Sequence, residues 1–310
     1  MTQHVRISEV GLRDGLQSID RVMPTEAKKA WILAEVAAGV TEMEVGSFVP
    51  SSILPQMGDT PEIVAFAKTV PGLEVVALVP NLKGAERAIA AGVDKMSIPF
   101  SMSETHSLKN VRKDHAAMLE QIRAIAELVA EQPEAERVHF EVGLSTAFGC
   151  TMEGPVSQDQ VVRLAEATIA AGVAEVCLSD TTGYADPAQV RSLVRAVKGA
   201  VGAERLNTLH LHNTRGLGLA NVLAGLEEGI TTFDSSMAGL GGCPFAPGAS
   251  GNIVTEDLVF MLEAMGISTG IDIARLVEVR AIIAVALPGE PLYGFIPDAG
   301  VPLGFKGTVA

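Results

Sequence analysis

Short runs of β-branched and apolar residues alternate along the chain with longer amphipathic stretches rich in alanine. An apolar run bounded by Gly, Pro, Ser, Thr or Asn predicts a strand, and an apolar stripe at helical spacing predicts a helix. The eight predicted strands cover residues 5–10, 42–48, 74–79, 95–98, 138–143, 175–178, 208–212 and 232–234. The predicted helices between and after them cover residues 25–38, 82–91, 111–130, 157–171, 187–198, 217–228 and 255–265.

Four of these helices end in a glycine directly before the next strand, at Gly39, Gly92, Gly172 and Gly229. Glycine at this position allows the left-handed conformation that ends a helix. The recurrence indicates a repeating βα unit, and strands that alternate with helices pair in parallel. Eight units in about 265 residues predict a TIM (β/α)8 barrel in preference to an open doubly wound sheet.

The C-terminal residues exceed the eight units. A further helix is predicted over residues 273–285, followed by a tail rich in Pro and Gly over residues 288–308. We therefore predict a catalytic barrel over residues 1–270 and a C-terminal helical and loop extension over residues 271–310. The extension is expected to pack across one face of the barrel.

Composition limits the possible functions. With 310 residues, 48% of them hydrophobic, the chain is long enough for one large domain with a full core. It has no apolar run of transmembrane length and no basic-then-apolar leader, so a cytoplasmic protein without a membrane role is expected. Three cysteines suit a reducing compartment, and a net charge of −14 argues against nucleic-acid binding.

Chemically active side chains fall at the predicted carboxyl ends of the strands, where TIM-barrel active sites form. Asp14 follows the first strand, His210 and His212 close the seventh, and Asn252 lies in the loop after the eighth. The two histidines are two residues apart on a strand and therefore project to one side. One carboxylate, two imidazoles and an amide oxygen could hold one divalent cation, with Arg13 beside it.

Each pattern also has a structural interpretation. A His-x-His pair on a strand can serve packing, and the glycines around Arg13 can simply form a turn. Cys243 lies in a glycine-rich segment, Gly239–Pro244, where the thiol could exchange a proton with a ligand or be structural. Glu44 and Ser47 close the second strand and Asp180 follows the sixth. These three are further candidates for the same site.

The sequence resembles the 3-hydroxy-3-methylglutaryl-CoA lyase family, within the DRE-TIM metallolyases, through all eight βα units and up to about residue 285. The later part, residues 239–252 continued by Val254-Thr255-Glu256-Asp257-Leu258, is its most specific segment. The related isopropylmalate and homocitrate synthases share the Arg-Asp-Gly and His-x-His elements but usually lack the cysteine segment. The other motifs that carry the resemblance are residues 9–17, 44–48, 55–57, 80–84 and 234–236.

The resemblance implies a metal-dependent carbon–carbon lyase that converts a hydroxyacyl-CoA into acetyl-CoA and a keto acid such as acetoacetate. It assigns Mg²⁺ or Mn²⁺ to Asp14, His210, His212 and Asn252. By the same resemblance, Arg13 steadies the enolate oxygen, Cys243 is the mobile acid, Glu44 is a supporting carboxylate and Asp180 lies near the acid–base chemistry. His210 or Asp180 could be the base for the hydroxyl. A homodimer is suggested by the family alone.

Contacts to substrate are predicted from Gln17, Ser47, Lys109 and Arg215, with Lys83, Arg112 and Lys113 as further candidates for the CoA phosphates. The basic residues could equally belong to ordinary solvated helix starts.

Several residues depart from the family pattern. Gly46 stands where the relatives have Thr, Gly143 lies near the position of a Tyr in the relatives, and Arg215 lies in a segment that differs. We expect both glycines to face the substrate and to enlarge the acyl pocket, which would admit a citramalyl-type or 3-hydroxy-3-carboxymethyl CoA ester. A Claisen-type synthase that releases free CoA and a catalytically silent metal-binding barrel are the alternative functions.

Overall fold

Eight parallel strands close into a barrel in a computed structural model that describes residues 4–241 and 251–307. Each strand pairs with the next, and β1 pairs with β8 from Arg6↔Thr232 to Glu9↔Ser235, which closes the barrel. The predicted TIM (β/α)8 barrel is confirmed. The strands are β1 Arg6–Glu9, β2 Glu42–Ser47, β3 Glu74–Leu78, β4 Lys95–Ser101, β5 His139–Ser145, β6 Glu175–Asp180, β7 Thr208–Leu211 and β8 Thr232–Ser235.

The helices form the outer layer of the barrel, and polar side chains fix where many of them begin. The side chains of Asn81, Ser103, Asp114, Ser157 and Asp186 each accept a backbone N–H in the first turn of the helix that follows. The helices are α1 Thr25–Ala38, α2 Thr60–Ala67, α3 Leu82–Ala91, α4 Glu104–Val111, α5 His115–Ala130, α6 Gln158–Ala170, α7 Pro187–Val201, α8 Gly218–Glu227, α9 Thr255–Ala264, α10 Ile273–Ala286 and α11 Ile296–Ala299.

The sequence pattern missed three helices, α2, α4 and α11. Helix α2 has only eight residues and α11 only four, and each has a proline in its first turn. Helix α4 precedes the helix predicted from residue 111, and that predicted helix begins at His115 because Arg112 takes a positive φ of 59°. The four predicted glycine helix ends are confirmed. Gly39, Gly92, Gly172 and Gly229 have φ values of 110°, 79°, 99° and 75°.

The apolar core lies mainly between the barrel and its helices. Trp31, Phe100 and Phe233 are fully buried there. The interior of the barrel is instead polar: Glu42, Lys95 and Glu141 line a cavity within it. A polar interior leaves room for water and for the polar groups of a ligand, whereas a TIM barrel without such a cavity is filled by branched apolar side chains.

The C-terminal extension packs against the side of the barrel. Helix α10 contacts α1 and α9, and the backbone N–H of Asp272 donates to Ala38 O at 2.7 Å. The ring of Phe305 lies 5.2 Å from that of Phe260 on α9. No helix in the described ranges is long and apolar enough to cross a membrane.

Candidate metal centre and active site

A cavity of about 540 Å³ opens within the barrel and is lined by half of the twelve site residues that the sequence singled out. This volume is in the usual range for a small-molecule site. Arg13, Asp14, Gln17, His210 and His212 all line it. The predicted site residues from the first and seventh strands therefore share one chamber.

Arg13 and Asp14 project into this chamber because the chain turns tightly after β1. Residues Gly11–Gly15 form one π-helical turn. The N–H groups of Arg13, Asp14 and Gly15 all point at the carbonyl oxygen of Val10, at 3.1, 2.7 and 3.4 Å. Such single π-turns are frequent at functional sites.

Arg13 is held by two carboxylates. Its Nε donates to Glu44 Oε2 in a short hydrogen bond, and its Nη1 donates to Asp14 Oδ1 at 2.6 Å. Ser97 Oγ donates to the other oxygen of Glu44 at 2.7 Å. Burial lowers the pKa of Arg13, but Glu44 and Asp14 outweigh burial and raise it above its ordinary value. The guanidinium is therefore a fixed positive charge with further N–H groups available to a ligand.

Three potential metal-ligating side chains converge beside Arg13. Ligand atoms of Asp14, His210 and His212 all lie within 4.8 Å of one another. The two Nε2 atoms are 3.1 Å apart, and each lies 3.8 Å from Asp14 Oδ2. Burial raises the pKa of Asp14, but Arg13 and the two histidines reverse this and hold it well below its usual range. Asp14 is therefore a carboxylate.

Asp234 on β8 orients His210, and sequence analysis did not identify it as a site residue. Its Oδ2 lies 2.9 Å from His210 Nδ1. A proton on Nδ1 leaves the lone pair of Nε2 free for a metal ion, which is the usual arrangement of a carboxylate behind a metal-ligating histidine. The register of the barrel could have identified it, because Asp234 on β8 pairs directly with His210 on β7.

Asn252 reaches the same point from the loop after β8. His212 and Asn252 form a β-bridge, and Asn252 Nδ2 donates to Asp14 Oδ2 at 2.6 Å. The buried Oδ1 of Asn252 has no hydrogen-bond partner among the described residues. A buried acceptor without a partner beside a carboxylate and two imidazoles fits a hard divalent cation, since the amide can turn its oxygen toward the ion.

Three glycines in contact bring Asp14 and Asn252 together. A Cβ on Gly15 would lie 3.0 Å from Leu240 O and 3.1 Å from Ser236 Oγ. A Cβ on Gly241 would lie 2.6 Å from Gly15 Cα, and a Cβ on Gly251 would overlap the carbonyl oxygen of Gly241. The loop after β8 has an outgoing arm, residues 237–241, and a returning arm that carries Asn252. Both arms can approach the turn that carries Asp14 this closely only because the three contacting residues have no side chains.

Other predicted residues do not line the cavity. The cavity wall, within the part of the chain that is described, does not include Ser47, Lys109, Asp180 or Arg215. Asp180 instead accepts the N–H groups of Tyr184 and Ala185, at 2.8 and 3.1 Å, and burial raises its pKa to about 6. Ser47 Oγ accepts the N–H of Val49 at 3.3 Å, and Lys109 is exposed on α4.

Arg215 supports a loop near Asp180. Its Nη1 donates to Thr182 O and Gly183 O, at 3.0 and 2.8 Å, and its guanidinium lies 4.5 Å from the ring centre of Tyr184. Cys243 lies outside the described residues.

The expectation that Gly46 faces the substrate is wrong. A Cβ on Gly46 would meet Thr60 Oγ1 on α2, at 2.5 Å, and not the cavity. The pairing of β2 with β3 shifts between Glu44 and Gly46, and this bulge breaks the alternation that would have placed both residues on one face. Gly143, in contrast, does line the cavity, and a Cβ there would have ordinary contacts at 3.7 and 4.0 Å.

Comparison with known proteins agrees with this geometry. The profile of the HMGL-like family matches residues 4–283. The hydroxymethylglutaryl-CoA lyase of Bacillus subtilis is 39% identical over 288 residues, which cover 93% of this chain and 94% of that protein. The human mitochondrial hydroxymethylglutaryl-CoA lyase is 37% identical over 287 residues, which cover 93% of this chain and 87% of that protein.

Solved structures give the same result. An HMG-CoA lyase from Acinetobacter baumannii in complex with coenzyme A and 3-methylmalate superposes with a TM-score of 0.89 at 39% identity, covering 98% of this chain and 97% of that one. The carboxyl transferase domain of Rhizobium etli pyruvate carboxylase superposes at 0.70 with 18% identity, covering 91% of this chain and 47% of that one. This second likeness shows a common fold alone.

The glycine contact predicts that Gly15→Ala weakens the metal site. The added Cβ would push the Asp14 turn away from the loop that carries Asn252, and displaced ligand supports typically cost 10–100-fold in metal affinity. We expect Mn²⁺, titrated into metal-free protein by calorimetry, to bind at least about tenfold more weakly. Gly199→Ala on α7 is the control, because a Cβ there meets no atom within 4 Å. Unchanged Mn²⁺ affinity in Gly15→Ala would refute the role of this contact.

Proposed function

The chain belongs to the HMGL-like family, and on that basis we propose that it cleaves a 3-hydroxy-3-methylglutaryl-CoA-like ester into acetyl-CoA and a keto acid such as acetoacetate. It is a carbon–carbon lyase that acts on an acyl-CoA. The observation that carries the proposal is the convergence of Asp14, His210 and His212 beside a fixed arginine, with the unpartnered oxygen of Asn252. The same convergence argues against a catalytically silent barrel.

Asp14, His210, His212 and Asn252 would hold the divalent cation, as the donor types and the orphaned amide oxygen support. Bound there, Mg²⁺ or Mn²⁺ would supply Lewis-acid chemistry that lowers the pKa of the substrate hydroxyl and would help to orient the substrate. The mixture of oxygen and imidazole donors suits either ion.

Arg13 acts on the charge that the reaction creates. Cleavage moves the hydroxyl proton to a base, breaks the C2–C3 bond, leaves its electron pair as the enolate of acetyl-CoA, and ends with protonation of C2. Glu44 and Asp14 hold the guanidinium in place before the enolate forms. A pre-positioned donor of this kind lowers the activation free energy by about 3–4 kcal/mol in related cases.

Protons enter and leave at two positions. We assign the protonation of carbon to the thiol of Cys243, because its glycine-rich segment continues from the arm that touches the Asp14 turn. His210 lines the cavity, but its Nε2 would bind the cation and its Nδ1 lies 2.9 Å from Asp234 Oδ2, so it has no free nitrogen for the hydroxyl proton while the metal is bound. Asp180 lies outside the cavity lining and accepts two backbone N–H groups, so we assign the hydroxyl proton to His210 or Asp180 acting through water.

Substitution of Arg13 and Cys243 tests the proposed reaction. We expect Arg13→Met and Cys243→Ser each to reduce kcat at least about tenfold, because each removes a group needed in the transition state and not for binding. The measurement is acetyl-CoA release from the methylglutaryl ester by metal-loaded enzyme, with Arg123→Met on α5 as a control remote from the cavity lining. Release of free CoA from acetyl-CoA and a 2-oxo acid, with no acetyl-CoA formed from the methylglutaryl ester, would identify a synthase instead.

Gly143 supports a wider choice of acyl group. Beside it the cavity lining includes Ile98 and Pro99 and three small side chains, those of Ser145, Cys177 and Ser179. A pocket lined in part by small residues can take a larger or more polar substituent than a methyl group. The enzyme accordingly accepts a citramalyl-type or 3-hydroxy-3-carboxymethyl CoA ester besides the methylglutaryl one.

Gly143→Leu should narrow this pocket. Its side chain would occupy space next to Ser179, so turnover of the larger esters is expected to fall more than that of the methylglutaryl ester. The comparison requires kcat/KM for a panel of branched hydroxyacyl-CoAs with wild type and variant. A wild-type enzyme with a clear preference for the methylglutaryl ester, or a variant that slows all esters equally, would contradict the wider specificity.

A homodimer is proposed as the state in solution, and a cytoplasmic location is kept as the expectation from the sequence. The dimer is supported by large apolar side chains exposed along the C-terminal extension, of which Val285, Phe295 and Leu303 are 83%, 79% and 107% exposed. Light scattering should give about twice the 32.3 kDa mass of one chain, and Phe295→Asp/Leu303→Asp should lower it. A monomeric wild type would contradict the proposal.

A further inference from the structure

Two buried glutamates accept hydrogen bonds from the first residues of the loop that leads from β8 to Asn252. Met237 and Ala238 follow β8 almost directly. The N–H of Met237 donates to Glu9 Oε1 at 2.9 Å, and the N–H of Ala238 donates to Glu256 Oε2 at 2.9 Å. Both carboxylates are fully buried. Successive backbone groups at the start of the loop are thus fixed from β1 and from α9.

Ala238 has an unfavourable backbone conformation. Its φ of 58° lies in the left-handed region, which costs energy for any residue with a side chain. Contacts on both sides hold it there. Glu256 accepts its N–H, and its carbonyl oxygen accepts the N–H of Tyr293 at 2.7 Å. Tyr293 belongs to the C-terminal extension, outside the eight βα units.

Arg280 on α10 connects these two contacts. Its Nη1 donates to Glu256 Oε1 at 2.6 Å and to the carbonyl oxygen of Tyr293 at 2.8 Å. The side chains of Arg280 and Glu256 are only 16% and 0% exposed. The result is a closed ring of hydrogen bonds from Arg280 to Glu256, on to Ala238, and back through Tyr293.

The ring acts on the metal centre through the outgoing arm of the loop, residues 237–241. Ser236 Oγ donates to Leu240 O at 3.0 Å, and Leu240 and Gly241 pack on Gly15 beside Asp14. Gly241 in turn contacts Gly251, the neighbour of Asn252. A displacement of Ala238 would therefore shift an arm that lies between two metal ligands.

We propose that Arg280 is a positioning residue for the metal centre, which it serves by holding Ala238 through Glu256 and the backbone of Tyr293. The C-terminal extension then contributes to catalysis although none of its described residues lines the cavity. The inference rests on the proposed function only where turnover is measured.

The test combines three variants with a measurement that needs no substrate. Arg280→Gln removes the charge, while Arg280→Lys is a rescue variant, because both hydrogen bonds come from one nitrogen that an ammonium group can replace. Arg275→Gln on the same helix is the control, since Arg275 is 65% exposed and binds Asp272 and Ala37 O. Mn²⁺ affinity is measured by calorimetry, and kcat and KM are measured with the methylglutaryl ester, well below each unfolding temperature.

We expect Arg280→Gln to weaken Mn²⁺ binding about tenfold or more and to lower kcat by a similar factor with KM changed less. Arg280→Lys should recover most of both, and Arg275→Gln should stay within about twofold of wild type. Should Arg280→Gln fail to fold, Glu256→Gln carries the test. It keeps an oxygen for the Ala238 N–H, loses the charge pair, and is expected to weaken Mn²⁺ binding at least about threefold.

Two results would overturn the proposal. One is a folded Arg280→Gln, or Glu256→Gln in its place, with Mn²⁺ affinity and kcat within about twofold of wild type. The other is an Arg280→Lys that loses as much as Arg280→Gln, because the hydrogen bonds would then not be the cause. Failure of the lyase function is distinguishable, since wild type would cleave no ester while the order of Mn²⁺ affinities persisted.

Discussion

The contact among Gly15, Gly241 and Gly251 is the constraint on which the metal centre depends. Asp14 and Asn252 are 238 positions apart, yet their side chains meet at 2.6 Å. Closure of the barrel between β1 and β8 brings their loops to one corner, but closure alone leaves the loops separated by the width of their side chains. Because these three residues have no Cβ atom, the backbones of the two loops lie in direct contact, and this contact brings Asp14 and Asn252 together.

Carboxylates that do not bind the cation hold the groups that act on the substrate. Glu44 fixes Arg13, Asp234 fixes His210, and Glu9 joins the Asp14 turn to the loop after β8 by accepting from Gly11 and Met237. Buried carboxylates are costly unless they are hydrogen-bonded, and burial raises the pKa of Glu9 to about 8. Some of the acidic residues of the chain are thus buried and hold other groups in place.

The sequence was sufficient for the barrel and for most of the centre. Regular alternation and glycine helix ends define eight βα units, and two histidines at strand spacing share a face whatever surrounds them. It failed where geometry departs from regularity. The bulge in β2 turned Gly46 toward α2. Asp180 and Arg215 form hydrogen bonds with their own loop, and their predicted roles stay predictions. Asp234 is identifiable only when β7 and β8 are set in register.

The most direct test of this account is where a metal ion binds. Crystals grown with Mn²⁺ and measured at the manganese absorption edge should show one strong anomalous peak in contact with Asp14, His210, His212 and Asn252 Oδ1, with Asp234 still bonded to His210. The account would be contradicted by a peak at the interior carboxylates Glu42 and Glu141, or by no peak in crystals of an enzyme that is active with Mn²⁺.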